Sequence, residues 1–91
     1  MIYKIEIKEQ AQEDLFYLAK HEPKAFKKAQ SLIEELRVHP KTGTGHPEPL
    51  KGGLQERWSR RITSKHRLVY QILETEVVVF VLAAYGHYDD K

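Results

Sequence analysis

The sequence predicts an α+β domain in which two helices pack on one face of an antiparallel sheet, in the order β-α-α-β-β-β. Three observations lead to this prediction. The first residues alternate between apolar and charged side chains, and two longer segments then repeat their apolar residues at helical spacing. The second half contains three short strand-like segments separated by turns. With 91 residues the chain has room for one hydrophobic core, so residues 1–91 are expected to form a single domain.

The first half of the chain is predicted to supply one strand and both helices. Residues 1–7 alternate, which is typical of a half-buried strand, and helical spacing begins at Glu9. Pro23 suits the first position of a second helix, which Pro40 is expected to end, and a tight turn would make the two helices antiparallel. The predicted apolar stripes are Ala11, Leu15, Leu18 and Ala19 in the first helix and Phe26, Ala29, Ile33 and Leu36 in the second, with Glu13, Asp14 and Lys20 on the surface.

The second half is predicted to form a loop followed by three strands. Residues 41–53, KTGTGHPEPLKGG, are rich in glycine and proline and are interpreted as a loop. The strands are expected at residues 54–62, 66–73 and 77–84. The last of these is continuously apolar, which predicts a strand in the interior of the sheet.

Composition excludes several classes of protein. The chain has no cysteine, which removes disulfides, thiolate metal sites and cysteine nucleophiles. Its histidines have no metal-ligand spacing, the glycine-rich loop does not match a P-loop, and no metal or cofactor is expected. The N-terminus lacks an apolar signal core, and the longest apolar run is far shorter than the ~20 residues that span a bilayer. A soluble, cytoplasmic protein without a membrane partner is predicted.

Positive charge is concentrated on one segment, although the net charge is only +2. Residues 54–67 contain Arg57, Arg60, Arg61, Lys65 and Arg67 against the single acid Glu56. Arg61 shares one face of its predicted strand with Arg57 and Ser59, and Arg67 joins it across the hairpin if the register permits. Guanidinium groups on adjacent strands suit a phosphate, whereas any one of these arginines is better explained by solubility and edge protection. The group as a whole predicts a site for a polyanion.

Two further ionisable residues complete a candidate catalytic set. Glu48 lies between Pro47 and Pro49, which restrict its backbone, and His87 follows the last predicted strand. Taken singly, the first could be a solvated acid in a rigid turn and the second a histidine at a strand end. Together with the arginines they are sufficient for metal-free RNA cleavage, in which a base activates the ribose 2′-OH and an acid protonates the leaving 5′-oxygen.

The segments GTGHPEPLKGGL and ERWSRRITSKHRLVYQI, with a histidine–tyrosine pair after an apolar strand, resemble the Txe/YoeB toxins of the RelE/ParE superfamily. The resemblance implies a microbial-RNase-like fold and an mRNA interferase, an endonuclease that cleaves mRNA in the A site of the 70S ribosome and inhibits translation. It further implies a YefM/Phd-like antitoxin as partner, a toxin that commonly forms a homodimer, and contact with operator DNA only through the antitoxin.

The resemblance also assigns roles to individual residues by motif position. Glu48 corresponds to the general base, His87 to the general acid, Arg67 and Arg61 to phosphate-holding residues, Tyr88 to a substrate-positioning ring, and Lys51 and Arg60 to contacts with the RNA backbone. Of these, we predict Glu48, Arg67 and His87 to be catalytic and the others to bind RNA.

Two other functions remain open at the level of sequence. The basic face could belong to a non-catalytic module that binds an acidic partner or nucleic acid, in which case Arg61 and Arg67 would matter and His87 would not. The superfamily also includes ParE-like gyrase inhibitors. The presence of both a candidate base and a candidate acid favours the endoribonuclease.

Overall fold

Two helices pack on a five-stranded mixed sheet, which confirms the predicted α+β class. The computed structural model describes residues 2–50 and 56–86. Its elements are β1 (Lys4–Ile7), α1 (Glu9–His21), α2 (Pro23–Leu36), β2 (Glu48–Pro49), β3 (Arg57–Arg61), β4 (Arg67–Leu73) and β5 (Val78–Ala83). The strand order across the sheet is β1-β5-β4-β3-β2. Neither described helix is long and apolar enough to cross a bilayer.

The helices are joined by a single residue, Glu22, which ends α1 and begins α2. Its backbone N–H donates to the carbonyl of Leu18 at 2.7 Å, and its own carbonyl accepts from Phe26 N–H at 3.0 Å. Pro23 occupies the first turn of α2 as predicted, where its missing N–H has no helical partner to lose. The helix ends at Leu36, short of Pro40. This tight connection folds α2 back onto α1.

The core lies between the helices and the sheet. Its fully buried apolar residues include Ala11, Leu18, Ala25, Ala29, Leu32, Leu36, Leu68, Tyr70, Val79 and Val81. The predicted stripes are therefore partly wrong: Ala19 is exposed, whereas Ala25 and Leu32 are buried. Asp14 was expected on the surface but is 9% exposed, because its Oδ2 accepts a hydrogen bond from the buried N–H of Ala84 at 2.9 Å. A backbone donor at that depth needs a partner, and Asp14 supplies it.

The sheet is mixed rather than wholly antiparallel. β1 pairs with β5 in parallel, with Lys4 opposite Val78, while the β5–β4, β4–β3 and β3–β2 pairs are antiparallel. The interior position predicted for β5 is confirmed, since it lies between β1 and β4. A strand that is apolar on both faces needs a neighbour at each edge, and β1 occupies the edge that the β4–β5 hairpin leaves open.

The predicted loop contains a short strand that was not predicted from the sequence. β2 is only two residues long and pairs with β3, Glu48 lying opposite Ser59. Two residues cannot show an alternating pattern, and Pro49 has no backbone N–H to suggest sheet pairing. The position at the sheet edge is one of the few that proline tolerates.

Candidate active site

Strand pairing brings four polar residues to one face of the sheet. Glu48 lies opposite Ser59, Arg61 lies opposite Arg67, and Ser59 and Arg61 are two residues apart on β3. Paired residues and residues two apart share a face, so all four side chains belong to the same side. The side chain of the intervening Arg60 bonds to Glu35 of α2 on the opposite side. The four residues therefore lie on the face away from the helices, which we call the open face.

On the open face, Glu48 and Arg67 form an ion pair. Arg67 Nη1 lies 3.6 Å from Glu48 Oε2, and the side chains are 24% and 59% exposed. The structure thus brings together the residues that were predicted as base and phosphate ligand, with Arg61 as the cross-strand neighbour of Arg67. A carboxylate and guanidinium groups at this spacing can accept a proton and hold an anion at the same place.

Two buried polar atoms near this pair have no hydrogen-bond partner within the described part of the chain. They are Ser59 Oγ and Arg67 Nε. An unpaired buried donor costs about 1–3 kcal/mol, so such groups are uncommon away from functional sites. Both belong to residues of the open face, but each atom is shielded from solvent, so neither is open to a ligand in this arrangement. Ser59 was placed on this face by the sequence but was not predicted as a site residue.

The segment before Glu48 is fixed against β3. Gly45 has a φ of +87° and accepts a hydrogen bond at its carbonyl from Arg61 N–H at 2.7 Å. A Cβ at this position would lie 3.0 Å from the Arg61 carbonyl oxygen, so both the backbone conformation and the close approach favour glycine. On the other side of Glu48, Leu50 N–H donates to the Arg57 carbonyl at 2.8 Å. Glu48 is therefore held between two attachments to the same strand.

Arg60 does not lie on the open face, and the prediction that it contacts the RNA backbone is corrected. Its side chain is fully buried. It donates to the Glu35 carboxylate, to the Tyr70 hydroxyl at 3.1 Å, and to the carbonyl oxygens of His39, Thr42 at 2.7 Å and Thr44 at 3.2 Å. The signal for this position was in the sequence, because Arg60 alternates with Arg61 and shares the inward face with Trp58. Arg60 supports the site indirectly, because its hydrogen bonds to these carbonyl groups fix residues 39–44, the segment that leads to Glu48.

Glu35 anchors the same segment from α2. Its carboxylate accepts hydrogen bonds from the Thr44 backbone N–H at 2.9 Å and the Thr44 hydroxyl at 3.1 Å. Burial alone would raise the pKa of Glu35, but the hydrogen bonds from Thr44 and Arg60 outweigh it and lower the pKa below the usual 4.5. The carboxylate therefore remains ionised as the partner of the buried Arg60.

His66, next to Arg67 in the chain, is buried and bonded through both ring nitrogens. Its Nε2 lies 3.0 and 3.1 Å from the Glu22 carboxylate oxygens, and its Nδ1 accepts from Gly86 N–H at 2.8 Å. No role was predicted for this histidine from the sequence. Its neighbourhood could not be anticipated, because Glu22 and Gly86 come from distant parts of the chain.

Three of the predicted site residues, Lys51, His87 and Tyr88, lie outside the described residues. Within residues 2–50 and 56–86, no three histidine, aspartate or glutamate side chains cluster as metal ligands would.

Comparison with known proteins gives consistent matches over most of the chain. Residues 7–88 match the family described as the YoeB-like toxin of bacterial type II toxin–antitoxin systems. Toxin YoeB from Streptomyces coelicolor is 43% identical over 76 residues, which cover 84% of this chain and 88% of that protein.

Solved structures agree with the sequence match. The YoeB dimer from Staphylococcus aureus superimposes with a TM-score of 0.82 and 32% identity, covering 97% of this chain and 100% of that one. The heterotetrameric YoeB–YefM toxin–antitoxin complex from the same organism gives a TM-score of 0.78 and 32% identity, with the same coverage of both chains.

Proposed function

The chain belongs to the YoeB-like toxins of bacterial type II toxin–antitoxin systems, and from this premise we propose that it is an endoribonuclease that cleaves mRNA in the ribosomal A site. Cleavage of mRNA during translation would stop protein synthesis, which is how such a protein would act as a toxin. The observation that carries the proposal is the Glu48–Arg67 ion pair on the open face, with Arg61 directly across from Arg67.

The proposed reaction is an attack by the ribose 2′-OH on the adjacent phosphorus. Glu48 accepts the 2′-OH proton, the oxygen forms a bond to phosphorus, and the bond from phosphorus to the 5′-oxygen breaks. His87 gives a proton to that 5′-oxygen. The products are a 2′,3′-cyclic phosphate and a free 5′-OH, so protons and charges balance without a cofactor. General acid–base catalysis of this kind contributes about 10²–10⁴-fold to the rate.

Arg67 and Arg61 are proposed to hold the phosphate as negative charge develops on its oxygens. The 3.6 Å separation between Arg67 Nη1 and Glu48 Oε2 is long for a hydrogen bond, and the Arg67 side chain is 24% exposed, so Nη1 can form a shorter bond to a phosphate. A placed electrostatic donor is worth about 10²–10³-fold in rate. Lys51 is proposed to contact the RNA backbone and Tyr88 to position the substrate.

The partners of the chain follow from the same family membership. The similar Staphylococcus aureus protein is found in complex with YefM, and we propose that a YefM/Phd-like antitoxin neutralises this chain in the same way. Operator DNA would be reached only through that antitoxin. A homodimer is proposed by analogy with the YoeB dimer. The site of action would be the cytoplasm, where mRNA is translated on the 70S ribosome.

The proposal is tested in a translating extract in which the 5′ ends of an mRNA are mapped after addition of the purified protein. Wild type should produce new ends within codons in the A site, and Glu48→Ala and His87→Ala should each reduce them by about 10²-fold or more. Glu13→Ala, which removes an exposed carboxylate of α1, is the matched control and should cleave like wild type.

Three results would contradict the proposal: no new ends, ends unrelated to the A site, or full cleavage by Glu48→Ala and His87→Ala. Growth arrest that persists in both variants but disappears in Arg61→Ala and Arg67→Ala would instead support a non-catalytic binding module. Inhibition of gyrase supercoiling by the purified protein would support a ParE-like function.

A further inference from the structure

The backbone of Gly86 is held on both sides by residues at the start of β4. Its N–H donates to His66 Nδ1 at 2.8 Å, and its carbonyl accepts from Arg67 N–H at 2.9 Å. Gly86 has a φ of +75°, a conformation in which a side chain would be strained. In the sequence Gly86 directly precedes His87. The bond from Arg67 ties the residue before the proposed acid to the residue proposed to hold the phosphate, and the bond to His66 ties it to the neighbour of Arg67 in the chain.

His66 is itself fixed from several directions. It is 3% exposed, its Nε2 faces the Glu22 carboxylate at the junction of α1 and α2, and the Tyr85 ring lies 4.7 Å from its own. Its backbone N–H donates to Thr63 Oγ1 at 3.1 Å in the turn between β3 and β4. A side chain with so many contacts has little freedom to move. Its hydrogen bond with the Gly86 N–H therefore restricts the position of the Gly86 backbone.

The hydrogen bonds determine which ring nitrogen carries the proton. The Gly86 N–H can only donate, so His66 Nδ1 must be the unprotonated acceptor. Nε2 then carries the proton and donates it to Glu22. The imidazole thus forms a bridge of two hydrogen bonds between Glu22, at the helix junction, and Gly86, the residue before His87 in the sequence.

We propose that His66 is a positioning residue, which sets the backbone at Gly86 and thereby the placement of His87 relative to Arg67. The inference rests on the proposed function, in which His87 is the acid. His66 is not proposed to touch the substrate, because it is buried and both ring nitrogens are occupied. Its proposed role is to fix the position of the acid, His87, relative to the phosphate-holding Arg67. Such precision matters because a misplacement of about 1 Å can lower the rate by about 10²-fold.

Two substitutions of His66 remove its two hydrogen bonds, to Glu22 and from Gly86, one at a time. His66→Asn keeps an acceptor near the position of Nδ1 and removes the bond to Glu22. His66→Gln keeps a donor near the position of Nε2 and removes the acceptor for Gly86 N–H. If His66 acts by positioning Gly86, His66→Gln should lower kcat for ribosome-bound mRNA by about 10–100-fold with KM nearly unchanged. His66→Asn should restore kcat at least about tenfold above His66→Gln, although it loses the hydrogen bond to Glu22.

The proposal is overturned if the two variants have equal kcat, whether both lose activity or both keep it. A purely structural role would reduce activity in proportion to lost stability, and this is checked by thermal unfolding of both variants.

Amide hydrogen exchange gives a second comparison of the two variants. The Gly86 N–H should exchange about tenfold faster in His66→Gln than in His66→Asn, because only the latter keeps an acceptor. Equal exchange rates would contradict the proposal.

A measurement on the wild-type chain depends on neither folding of the variants nor cleavage activity. A nitrogen–nitrogen coupling across the hydrogen bond should connect the Gly86 amide with His66 Nδ1 in an NMR spectrum of labelled protein. Its absence would overturn the inference even if the protein cleaves mRNA. Conversely, a chain that shows the coupling but cleaves no mRNA would contradict the proposed function and leave the bridge between His66 and Gly86 in place.

Discussion

At the scale of single residues, the site depends on Arg67, because its side chain contacts Glu48 and its backbone N–H donates to the Gly86 carbonyl. Arg67→Lys retains the charge but replaces a planar fork of donors by one ammonium group. We expect single-turnover cleavage on programmed ribosomes to fall by about 10²–10³-fold. Arg37→Lys, which alters an arginine exposed at the end of α2, should leave the rate unchanged. Retention of the full rate by Arg67→Lys would exclude its proposed role in the transition state.

Arg60, the buried neighbour of Arg61, should matter for stability instead. Arg60→Met removes one of the donors of the Glu35 carboxylate and leaves buried carbonyl groups without their donor. An unpaired buried polar group costs about 1–3 kcal/mol, so we expect a loss of at least that size. Arg61→Met, at the exposed neighbouring position, should change the free energy of unfolding by less than about 1 kcal/mol. Urea unfolding of the two variants measures the difference, and equal midpoints would show that the network contributes no net stability.

The residues of the site were predictable to different degrees. Arg61 and Arg67 could be placed together from the sequence, because a hairpin brings adjacent strands into register. The inward direction of Arg60 was also available from alternation with its neighbours. Its partners were not, since Glu35 and the carbonyl groups of residues 39–44 approach it only when α2 and the following loop have folded. His66 was missed for the same reason.

At the scale of elements, Asp14 links α1 to the end of β5. Its Oδ2 accepts from Ala84 N–H at 2.9 Å, and its Oδ1 accepts from the Gln10 side chain at 2.9 Å. Asp14→Ala would leave the buried Ala84 N–H without a partner, at a cost of about 1–3 kcal/mol. Glu13→Ala, at the adjacent exposed position, is the control and should be nearly neutral.

Hydrogen exchange locates this effect. The Ala84 amide should lose protection in Asp14→Ala, and protection in β3 should be affected less. Uniform loss across the sheet would mean that Asp14 supports the whole domain rather than the end of β5.

Helices and strands whose apolar residues repeat at regular spacing were predicted from the sequence. Features that depend on pairing between distant strands were not. Both helices and the strands β1, β3, β4 and β5 were predicted from helical, alternating or continuously apolar patterns, and the structure contains all of them. The parallel β1–β5 pair depends on contacts between the two ends of the described chain, which local patterns do not report. β2 is too short to have a period, although it is the element that carries Glu48.

At the scale of the whole molecule, the free energy of unfolding at acidic pH should depend on the protonation of Glu35. Its pKa is lowered in the folded state, so the stabilisation is present above the unfolded value of 4.5 and is lost as the pH falls through the folded value. We expect the difference in unfolding free energy between wild type and Glu35→Gln to be constant above about pH 6 and to shrink below about pH 4.5.

Urea unfolding at several pH values measures this difference. Glu34→Gln, an exposed neighbour on α2, supplies the control curve. A difference that stays constant down to about pH 3 would contradict the assigned direction of the pKa shift.

The proposed attack by a ribose 2′-OH can be tested most directly by altering a single nucleotide of the mRNA. Ribosomes are programmed with two mRNAs that differ only in a single 2′-deoxy sugar at the cleavage position in the A-site codon. We predict that the all-ribose mRNA is cut there to a 2′,3′-cyclic phosphate, and that the 2′-deoxy mRNA is left intact at that position. Cleavage of both mRNAs at the same rate would show that the 2′-OH is not the nucleophile and would rule out the proposed mechanism.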